Sequence, residues 1–257
     1  PERLYFHIQR FLLYGEEADH AKIRELHPIA GGLKDHLYLT PGYSLNDDRL
    51  DNPAYILSYI LDRKAGTDPE IVRFFRRALK DAADANIAEL RRHAYPVGND
   101  PDGKAWGHNV RQPQYAAAPL LHWMLSGDQA YFDAASELMD YKLGLNPIGI
   151  SYVTGLGFDQ VHNVHDRESA YWAAEGQGPK PGITVFGPGV TGWSRGIRVV
   201  PPVDRLPLER RYVDDREIIS FNEFTIFETM HYDALYTVLA GGGKWRGTDP
   251  FRNRDVP

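Results

Sequence analysis

Hydrophobic side chains recur at helical spacing in several stretches of the chain. Residues 53–63 and 71–93 both repeat apolar positions every three or four residues, as one buried helix face requires. Asp68-Pro69-Glu70 precedes the second stretch and has the order typical of a helix start: a capping carboxylate, a proline in the first turn and an acid. The pattern therefore predicts a short helix over 53–63 and a long amphipathic helix over 71–93.

Two further helices are predicted over 113–125 and 128–143, around the turn Ser126-Gly127-Asp128. Gly144 and the Asn146-Pro147 pair follow the second of them and are typical of a helix end. A last helix is expected from about residue 220 to 240, because a run of three glycines follows it.

Glycine and proline concentrate in the segment between these helices. Residues 146–208 hold ten of the 24 glycines and seven of the 18 prolines. Successive helical hairpins joined to one long irregular segment favour an all-α bundle or toroid, and a loop of that length in a compact fold is usually functional. We therefore divide the chain into helical hairpins over 1–145, a loop region over 146–213 and the last core helix.

Composition narrows the function. The chain has 257 residues, a formal net charge of −6 and no cysteine. Its acidity and the lack of a basic run argue against nucleic acid as a partner, and the longest apolar stretch, 116–125, is too short to span a membrane. The missing cysteines exclude disulfides and thiolate chemistry. A neutral or cationic ligand fits this composition best.

Several motif matches lack the structure that their chemistry requires. Residues 187–192 fit G-x-G-x-x-G and residues 192–196 fit G-x-S-x-G, but Pro201-Pro202 follows where each motif needs a helix. Glu228 and His231 form a single Glu-x-x-His, whereas a dimetal bundle uses two. His162 and His165 lack the helix of a zinc protease. We therefore predict no metal ligands and no cofactor, and the sequence leaves calcium binding open.

Three polar segments remain as candidates for chemistry. Residues 140–157 have the sequence DYKLGLNPIGISYVTGLG, a helix end that turns into a glycine-rich loop. Residues 163–167 have NVHDR, and residues 212–216 have YVDDR, with Asn222-Glu223 further on. Upstream segments, WGHN over 106–109 and SGDQAY over 126–131, precede them.

The order of these segments resembles glycoside hydrolase family 9, which contains inverting cellulases and exo-acting relatives. The family has D-Y-x-L-G-x-N-P-x-G-x-S-Y-V-T-G, then a His-His-Arg cluster, then Y-x-D-D and N-E. The resemblance covers about 106–240 and is most specific from Asn146 to Gly155. It implies an (α/α)6 toroid of six helical hairpins, here incomplete, that hydrolyses β-1,4-glycosidic bonds in glucan or related oligosaccharides.

The resemblance also implies roles for individual residues. Inversion needs a protonated carboxylic acid at the leaving oxygen and a carboxylate that activates water about 6.5–9.5 Å away. Glu223 would be the acid, and the nearby Phe221 and Phe224 provide the apolar setting that favours its protonated form. The implied sugar contacts are His165 and Arg167, the stacking platform Trp106, and Tyr212.

Structural explanations stand beside these roles. Glu223 could be an acid favoured by a helix N-terminus, and Trp106 could pack in the core. An extended loop would place Asn163, His165 and Arg167 on one face with Asp166 opposite, and an Arg-Asp pair could stabilise that loop. For Tyr115, Trp123 and Trp172 we expect core packing.

The family's general base motif, Asp-Ala-Gly-Asp, is absent from the sequence. Asp84 follows the similar string Asp81-Ala82-Ala83, but we expect these acids on the solvated face of a helix; Asp48 and Asp51 are expected in a loop. Other departures from the family are Asp166 in place of the second His, Ile218 in place of an Asp, and the sequence over 227–231.

We therefore expect the C-terminal portion of an inverting β-glycosidase whose base lies outside the chain. Its partners would be a β-linked saccharide and the N-terminal remainder of the module, and the helices before Trp106 should expose an apolar face. The resemblance alone implies a secreted or periplasmic protein. The alternatives are a non-catalytic carbohydrate-binding toroid and a polysaccharide lyase that uses His165 with a tyrosine.

Overall fold

The computed structural model describes residues 2–32, 54–62, 66–98, 107–110, 112–189, 200–226 and 233–241. This part of the chain is mostly helical and contains no β-strand, which confirms the predicted all-α class. The α-helices are α1 (Glu2–Tyr14), α2 (Glu17–Leu26), α3 (Ala54–Leu61), α4 (Pro69–Leu90), α5 (Gln112–Ser126), α6 (Gln129–Asp140), α7 (Arg167–Ala174), α8 (Ile219–Asn222) and α9 (Ala234–Gly241). The 3₁₀ turns are His27–Gly32, His108–Val110, Tyr141–Leu143, Val203–Arg205 and Leu208–Arg210.

Helix α4 begins as its sequence predicts. The Asp68 carboxylate accepts a hydrogen bond from the Glu70 amide at 2.8 Å, and Pro69 occupies the first turn. The helix ends at Leu90, three residues before the predicted end at 93. Its buried face includes Phe75 and Leu79, so the long amphipathic helix is confirmed.

A proline inside α5 is accommodated by its neighbour α4. Pro119 has no N–H to donate to the carbonyl of Tyr115, four residues earlier. Asn86 of α4 is fully buried, and its Nδ2 donates to that carbonyl at 2.9 Å. This bond explains how α5 tolerates Pro119 and why a polar side chain lies in the α4–α5 interface.

The apolar interior divides into two clusters. The first lies among α1 to α6 and includes the predicted core residues Tyr115 and Trp123. The second lies under the irregular loops, and its members are Val97, Tyr141, Tyr152, Val161, Val164, Ile183, Val185, Tyr212, Ile218 and Phe221. Trp172 is only half-buried and has Lys180 Nζ 6.0 Å from its ring centroid, so the prediction of core packing is wrong for this tryptophan.

The last predicted helix is interrupted near its start. Helix α8 ends at Asn222, and Glu223 has extended backbone angles of φ −72° and ψ 163°. Helix α9 begins at Ala234. A continuous helix over 220–240 is therefore wrong, and Glu223 lies at the C-terminal end of a short helix instead of at a helix N-terminus.

Helix α1 exposes four large apolar side chains. Tyr5, Phe6, Leu13 and Tyr14 are 42%, 56%, 73% and 66% exposed. Arg10 lies over two of these rings, 5.7 Å from the Phe6 centroid and 5.6 Å from that of Tyr14. This surface fits the apolar exposed face that the sequence predicts before Trp106. No helix in the described ranges is long and apolar enough to cross a membrane.

Candidate active site

The glycine-rich loop after α6 is held by the side chain of one asparagine. Asn146 Nδ2 donates to the carbonyls of Tyr141 at 2.9 Å and Ile150 at 2.8 Å. Its Oδ1 accepts from the amides of Ile148 at 3.3 Å and Gly149 at 3.0 Å. The Asn146 amide group therefore bonds the backbone both before and after itself, which explains why an asparagine occupies this position.

The loop continues into a segment that pairs with residues 182–186. Val153 forms an isolated bridge with Thr184, and the Thr154 amide donates to the Ile183 carbonyl at 2.9 Å. The Thr154 hydroxyl donates to the Lys180 carbonyl at 2.6 Å and accepts from the Ile183 amide at 2.9 Å. The motif thus works as a scaffold that supports residues 182–186.

Residues 186 and 187 in turn hold the backbone around Glu223. The Phe186 amide donates to the Glu223 carbonyl at 2.9 Å, and the Gly187 amide donates to the Phe221 carbonyl at the same distance. Gly187 has φ +76°, and a Cβ there would lie 2.5 Å from Asn109 Nδ2. Only glycine fits this position. Gly187 therefore allows the backbone to approach Asn109 while its amide bonds the Phe221 carbonyl.

Glu223 itself is half-buried at the end of α8. Its side chain makes no hydrogen bond or ion pair with any residue that the structure describes. The helix-dipole explanation fails here, because the C-terminal end of a helix carries partial negative charge and disfavours a carboxylate. Among the described residues, the carboxyl group is therefore positioned by its backbone alone.

Asn222, directly before Glu223, makes the densest set of hydrogen bonds in this region. Its fully buried Nδ2 lies 2.8 Å from the carbonyls of Val213 and Asp215 and 3.2 Å from that of Ile218. Its Oδ1 accepts from the Tyr212 hydroxyl at 2.6 Å. Asn222 thereby ties the 212–216 motif to the residue next to Glu223.

Tyr212 lies in the interior instead of at a ligand surface. It is 9% exposed, its ring packs against Tyr152 and Phe221, and its hydroxyl is used by Asn222. Burial raises the pKa of its hydroxyl well above the ordinary value, so it remains a donor. This corrects the prediction that Tyr212 contacts the sugar: its place is behind Asn222.

His165 is attached to the same segment. Its amide donates to the Asn222 carbonyl at 2.8 Å, and its Nδ1 lies 2.7 Å from the Arg216 carbonyl. Because a carbonyl only accepts, Nδ1 carries a proton in this contact. The other ring nitrogen, Nε2, has no hydrogen-bond partner among the described residues, and the neutral ring would offer it as an acceptor.

Asp214 fixes the stretch before His165, a role that the sequence did not indicate. Its carboxylate accepts from the amides of His162 and Asn163, both at 2.9 Å. Asn163 Nδ2 donates back to the Asp214 carbonyl at 3.1 Å. The side chain of Asn163 is therefore used inside the protein, and the only sequence signal for this clamp is the Asp-Asp pair after Tyr212.

Arg167 begins helix α7, so the predicted extended face over 163–167 is wrong at its last position. Asp166 caps this helix: its carboxylate accepts from the Ser169 amide at 2.8 Å. Burial raises the pKa of Asp166, but hydrogen bonds from Ser169 and Glu168 outweigh burial and lower it. Arg167 is exposed and makes no ion pair within the described residues, so the expected Arg-Asp pair is not formed.

Trp106 lies outside the described residues, but the three residues after it lie beside the Glu223 scaffold. The amides of His108 and Asn109 donate to the carbonyls of Pro188 at 2.6 Å and Phe186 at 2.9 Å. Asn109 Nδ2 donates to the Val185 carbonyl at 2.9 Å. His108 and Asn109 therefore contact the same backbone, residues 185–188, that holds Glu223.

A buried ion pair connects the loop region with α9. Lys142 is fully buried, and its ammonium group pairs with Asp233 immediately before α9. Burial lowers the pKa of Lys142, and Asp233 opposes that shift. The Thr184 hydroxyl donates to the other carboxylate oxygen of Asp233 at 2.6 Å. This pair was not predicted, because the sequence places its members 91 residues apart.

The candidate base Asp84 has local partners on α4 and α6. It pairs with Lys80 at 2.5 Å and accepts from the Tyr131 hydroxyl at 2.6 Å. Burial raises the pKa of Asp84, but Lys80 and Tyr131 lower it overall. These contacts support a structural role, and Asp48 and Asp51 lie outside the described residues. Among the described residues, no group of three or more His, Asp or Glu side chains could hold a metal ion.

Helical hairpins beneath a long irregular segment, without a strand in the described part of the chain, place the protein in the all-α class to which helical toroids belong. Comparison with known families gives the particular family: the glycosyl hydrolase family 9 model matches residues 45–237. The chain belongs to glycosyl hydrolase family 9. Membership of this family confirms the predicted resemblance.

Curated relatives match over part of their length. Endoglucanase D of Acetivibrio thermocellus is 26% identical over 212 residues, which cover 77% of this chain and 30% of the relative. A xyloglucan-specific endo-beta-1,4-glucanase of Bacteroides ovatus is 30% identical over 144 residues, covering 54% of this chain and 24% of the relative. The chain thus spans less than a third of the length of these relatives.

Solved structures show the same fold. The crystal structure of GH family 9 endoglucanase J30 superposes with a TM-score of 0.66 at 24% identity and covers 93% of this chain, against 41% of its own. A single mutant thermostable endoglucanase from Alicyclobacillus acidocaldarius gives a TM-score of 0.68 at 23% identity, over 92% and 42% of the two chains. The helical hairpins of this chain therefore have the fold of the (α/α)6 barrel enzymes of this family.

Proposed function

We propose that the protein containing this chain hydrolyses β-1,4-glycosidic bonds of a cellulose-like glucan with inversion, and that Glu223 is the general acid. The observation that carries the proposal is the convergence of four motif segments on Glu223 and its neighbour. The Phe186 amide donates to the Glu223 carbonyl, and the residue before it, Val185, donates its amide to Tyr152 of the 140–157 segment. Asn109 of the second segment donates its amide to the Phe186 carbonyl. The third and fourth segments reach Asn222 through the amide of His165 and the hydroxyl of Tyr212.

The side chains of Glu223, His165 and Arg167 each have a role in the proposed reaction. A carboxyl group without internal partners can place its proton on the leaving oxygen, as Glu223 would. A sugar hydroxyl can donate to Nε2 of His165, because Nδ1 is fixed by the Arg216 carbonyl. Arg167 supplies N–H donors for further hydroxyls from the start of α7.

The general base is proposed to lie in a part of the protein beyond this chain. Asp84 is held by Lys80 and Tyr131, so it does not replace the family's Asp-Ala-Gly-Asp motif. The exposed apolar face of α1 fits a surface covered by preceding hairpins of the module. The chain alone should therefore bind saccharide poorly and hydrolyse none.

The test compares this chain with a longer protein that includes the preceding hairpins, using cello-oligosaccharides as substrates. We expect hydrolysis by the longer protein only, with the α-anomer as first product in proton NMR spectra. Full activity of the 257-residue chain would contradict the incomplete site, and a β-anomer as first product would contradict inversion.

The second candidate is a carbohydrate-binding toroid without catalysis. One observation favours it: Asp84, which belongs to the string most similar to the family's base motif, already bonds Lys80 and Tyr131. Saccharide binding by the longer protein without any product over long incubation would support this candidate. Membership of a hydrolase family favours hydrolysis over the lyase alternative, which would yield unsaturated products that absorb in the ultraviolet.

A further inference from the structure

A cavity of about 260 Å³ lies between α4 and α5, on side chains that the proposed hydrolysis does not use. It is lined by Arg76, Arg77 and Lys80 of α4 and by His122, Leu125 and Ser126 of α5. Most of these side chains carry N–H or O–H donors. The chain as a whole is acidic, so a concentration of cations around one cavity needs an explanation.

Two of the cations have no partner among the described residues. Arg76 and Arg77 are exposed, and neither forms an ion pair or hydrogen bond with any described residue. Arg73, one turn earlier on the same helix, does pair with Glu70. A guanidinium group has five N–H donors in a planar fork that suits the oxygens of an oxyanion, so two unpaired guanidiniums beside a cavity favour an anionic ligand.

Two of the neighbouring acids, Asp84 and Asp128, are already engaged. The Asp84 carboxylate pairs with Lys80 at 2.5 Å and accepts from the Tyr131 hydroxyl at 2.6 Å. The Asp128 carboxylate caps α6 by accepting from the Ala130 amide at 3.1 Å. Asp81 lies one turn after Arg77 but forms no ion pair within the described residues. No described acid therefore forms an ion pair with Arg76 or Arg77.

His122 of α5 also lines the cavity, and its ring can offer an N–H donor there. Its ring packs edge-on against Tyr131, with 4.4 Å between the centroids, and its buried Nδ1 has no described hydrogen-bond partner. Burial lowers the pKa of His122, Lys80 and Arg76 lower it further, and Asp84 and Asp128 oppose them. An anion in the cavity would favour the charged ring, so His122 can report occupancy.

We propose that this cavity binds a small tetrahedral oxyanion, of the phosphate or sulfate type, between the guanidiniums of Arg76 and Arg77 and the imidazole of His122. The volume is enough for one such ion with several waters. Charge-assisted hydrogen bonds from arginine give the site its preference for a tetrahedral oxyanion over chloride. The site is independent of Glu223 and of the proposed hydrolysis.

Titration of the chain with sodium sulfate, against sodium chloride at equal ionic strength, tests the proposal by NMR. We expect saturable shifts at α4 and α5 with sulfate and an increase in the pKa of His122, and a parallel titration with inorganic phosphate shows which oxyanion binds more tightly. Equal, non-saturating shifts with sulfate, phosphate and chloride would overturn the proposal.

Matched variants separate a built site from general surface charge. The double change Arg76→Ala and Arg77→Ala should weaken sulfate binding at least about tenfold, because charged hydrogen bonds contribute about 1.5–3 kcal/mol each. Arg73→Ala removes an arginine from the same helix outside the cavity and should leave binding unchanged. Alanine favours helix, so both proteins should keep the parent circular dichroism spectrum. Equal affinity in the double variant, or an equal loss in Arg73→Ala, would refute the site.

Discussion

At the scale of single residues, the candidate site depends on the fully buried side-chain amide of Asn222. Asn222 donates to three backbone carbonyls and accepts from Tyr212, and this combination of donor and acceptor excludes a carboxylate at the same place. Its own carbonyl receives the His165 amide. One buried group therefore sets the positions of two residues: Glu223, the proposed acid, and His165, the proposed sugar contact.

Removing the Tyr212 hydroxyl tests this arrangement. Tyr212→Phe keeps the packing of the ring but leaves Asn222 Oδ1 buried without its donor, which should lower the free energy of unfolding by about 1–3 kcal/mol. Urea denaturation of the chain measures the change. Tyr5→Phe, at a tyrosine that is 42% exposed, is the control and should change stability by less than about 0.5 kcal/mol. Equal stability of Tyr212→Phe and the parent would contradict the buried contact.

Motifs in the sequence indicate the candidate site residues more readily than the residues that position them. Glu223, His165 and Arg167 follow from motif order, and no described residue bonds the Glu223 carboxyl, the His165 Nε2 or the Arg167 guanidinium. The clamp at Asp214 and the burial of Tyr212 depend on contacts between segments about 50 residues apart or on loop geometry, which periodicity does not encode. The same motif order therefore overestimates Tyr212 as a ligand contact.

At the scale of elements, a helix boundary can be predicted from the sequence when the residues that cap the helix lie within its first turn. Helix α4 begins at the predicted cap because Asp68, Pro69 and Glu70 act within one turn. The region after α8 behaves differently: the Glu223 carbonyl bonds to Phe186, a residue far away in sequence. A tertiary hydrogen bond thus ends the helix where the apolar pattern predicts continuation.

The cap of α4 gives the prediction at this scale. Asp68→Ala removes the acceptor for the Glu70 amide and should lower the free energy of unfolding by about 1 kcal/mol. Asp81→Ala, at an exposed position in the middle of the same helix, is the matched control and should be neutral or slightly stabilising, since alanine has the highest helix propensity. Both values come from urea denaturation. A greater loss for Asp81→Ala than for Asp68→Ala would contradict the capping assignment.

At the scale of the whole molecule, one buried histidine links the N-terminal helices and makes stability depend on pH. His20 stacks on Phe11 with 4.2 Å between ring centroids, and its Nε2 lies 2.9 Å from the Tyr59 hydroxyl. Arg24 donates to its Nδ1 at 3.1 Å, so the ring is neutral in this arrangement. Burial lowers the pKa of His20 below its ordinary value of 6.5, Arg24 lowers it further, and Glu17 and Asp68 oppose them.

Because the folded pKa is the lower one, the unfolded chain takes up a proton first as the pH falls. The contribution of His20 to stability is complete above about pH 6.5 and is lost progressively below it. Urea denaturation at pH 7.5 and pH 5 should therefore show a smaller loss in His20→Gln than in the parent chain. An identical loss in both proteins would show that His20 does not contribute, since Asp19 and His122 remain in each.

The scale of the molecule also limits what the chain can do, because it spans about two fifths of the solved structures that it matches. The toroid class could be predicted from the succession of helical hairpins and the motif order. The position of the base could not, because the sequence contains no Asp-Ala-Gly-Asp motif. The proposed hydrolysis therefore depends most on Glu223, the proposed acid.

The most direct measurement is hydrolysis by the longer protein with Glu223→Gln, on substrates that differ in leaving group. Loss of a general acid should slow cleavage of cello-oligosaccharides at least about 10²-fold, and should slow an aryl glycoside with a good leaving group far less, because that group needs no proton. Glu217→Gln, at an exposed glutamate nearby, should hydrolyse both substrates at the parent rate. Parent activity of Glu223→Gln on oligosaccharides, or an equal loss on both substrates, would contradict the assignment of Glu223 as the acid.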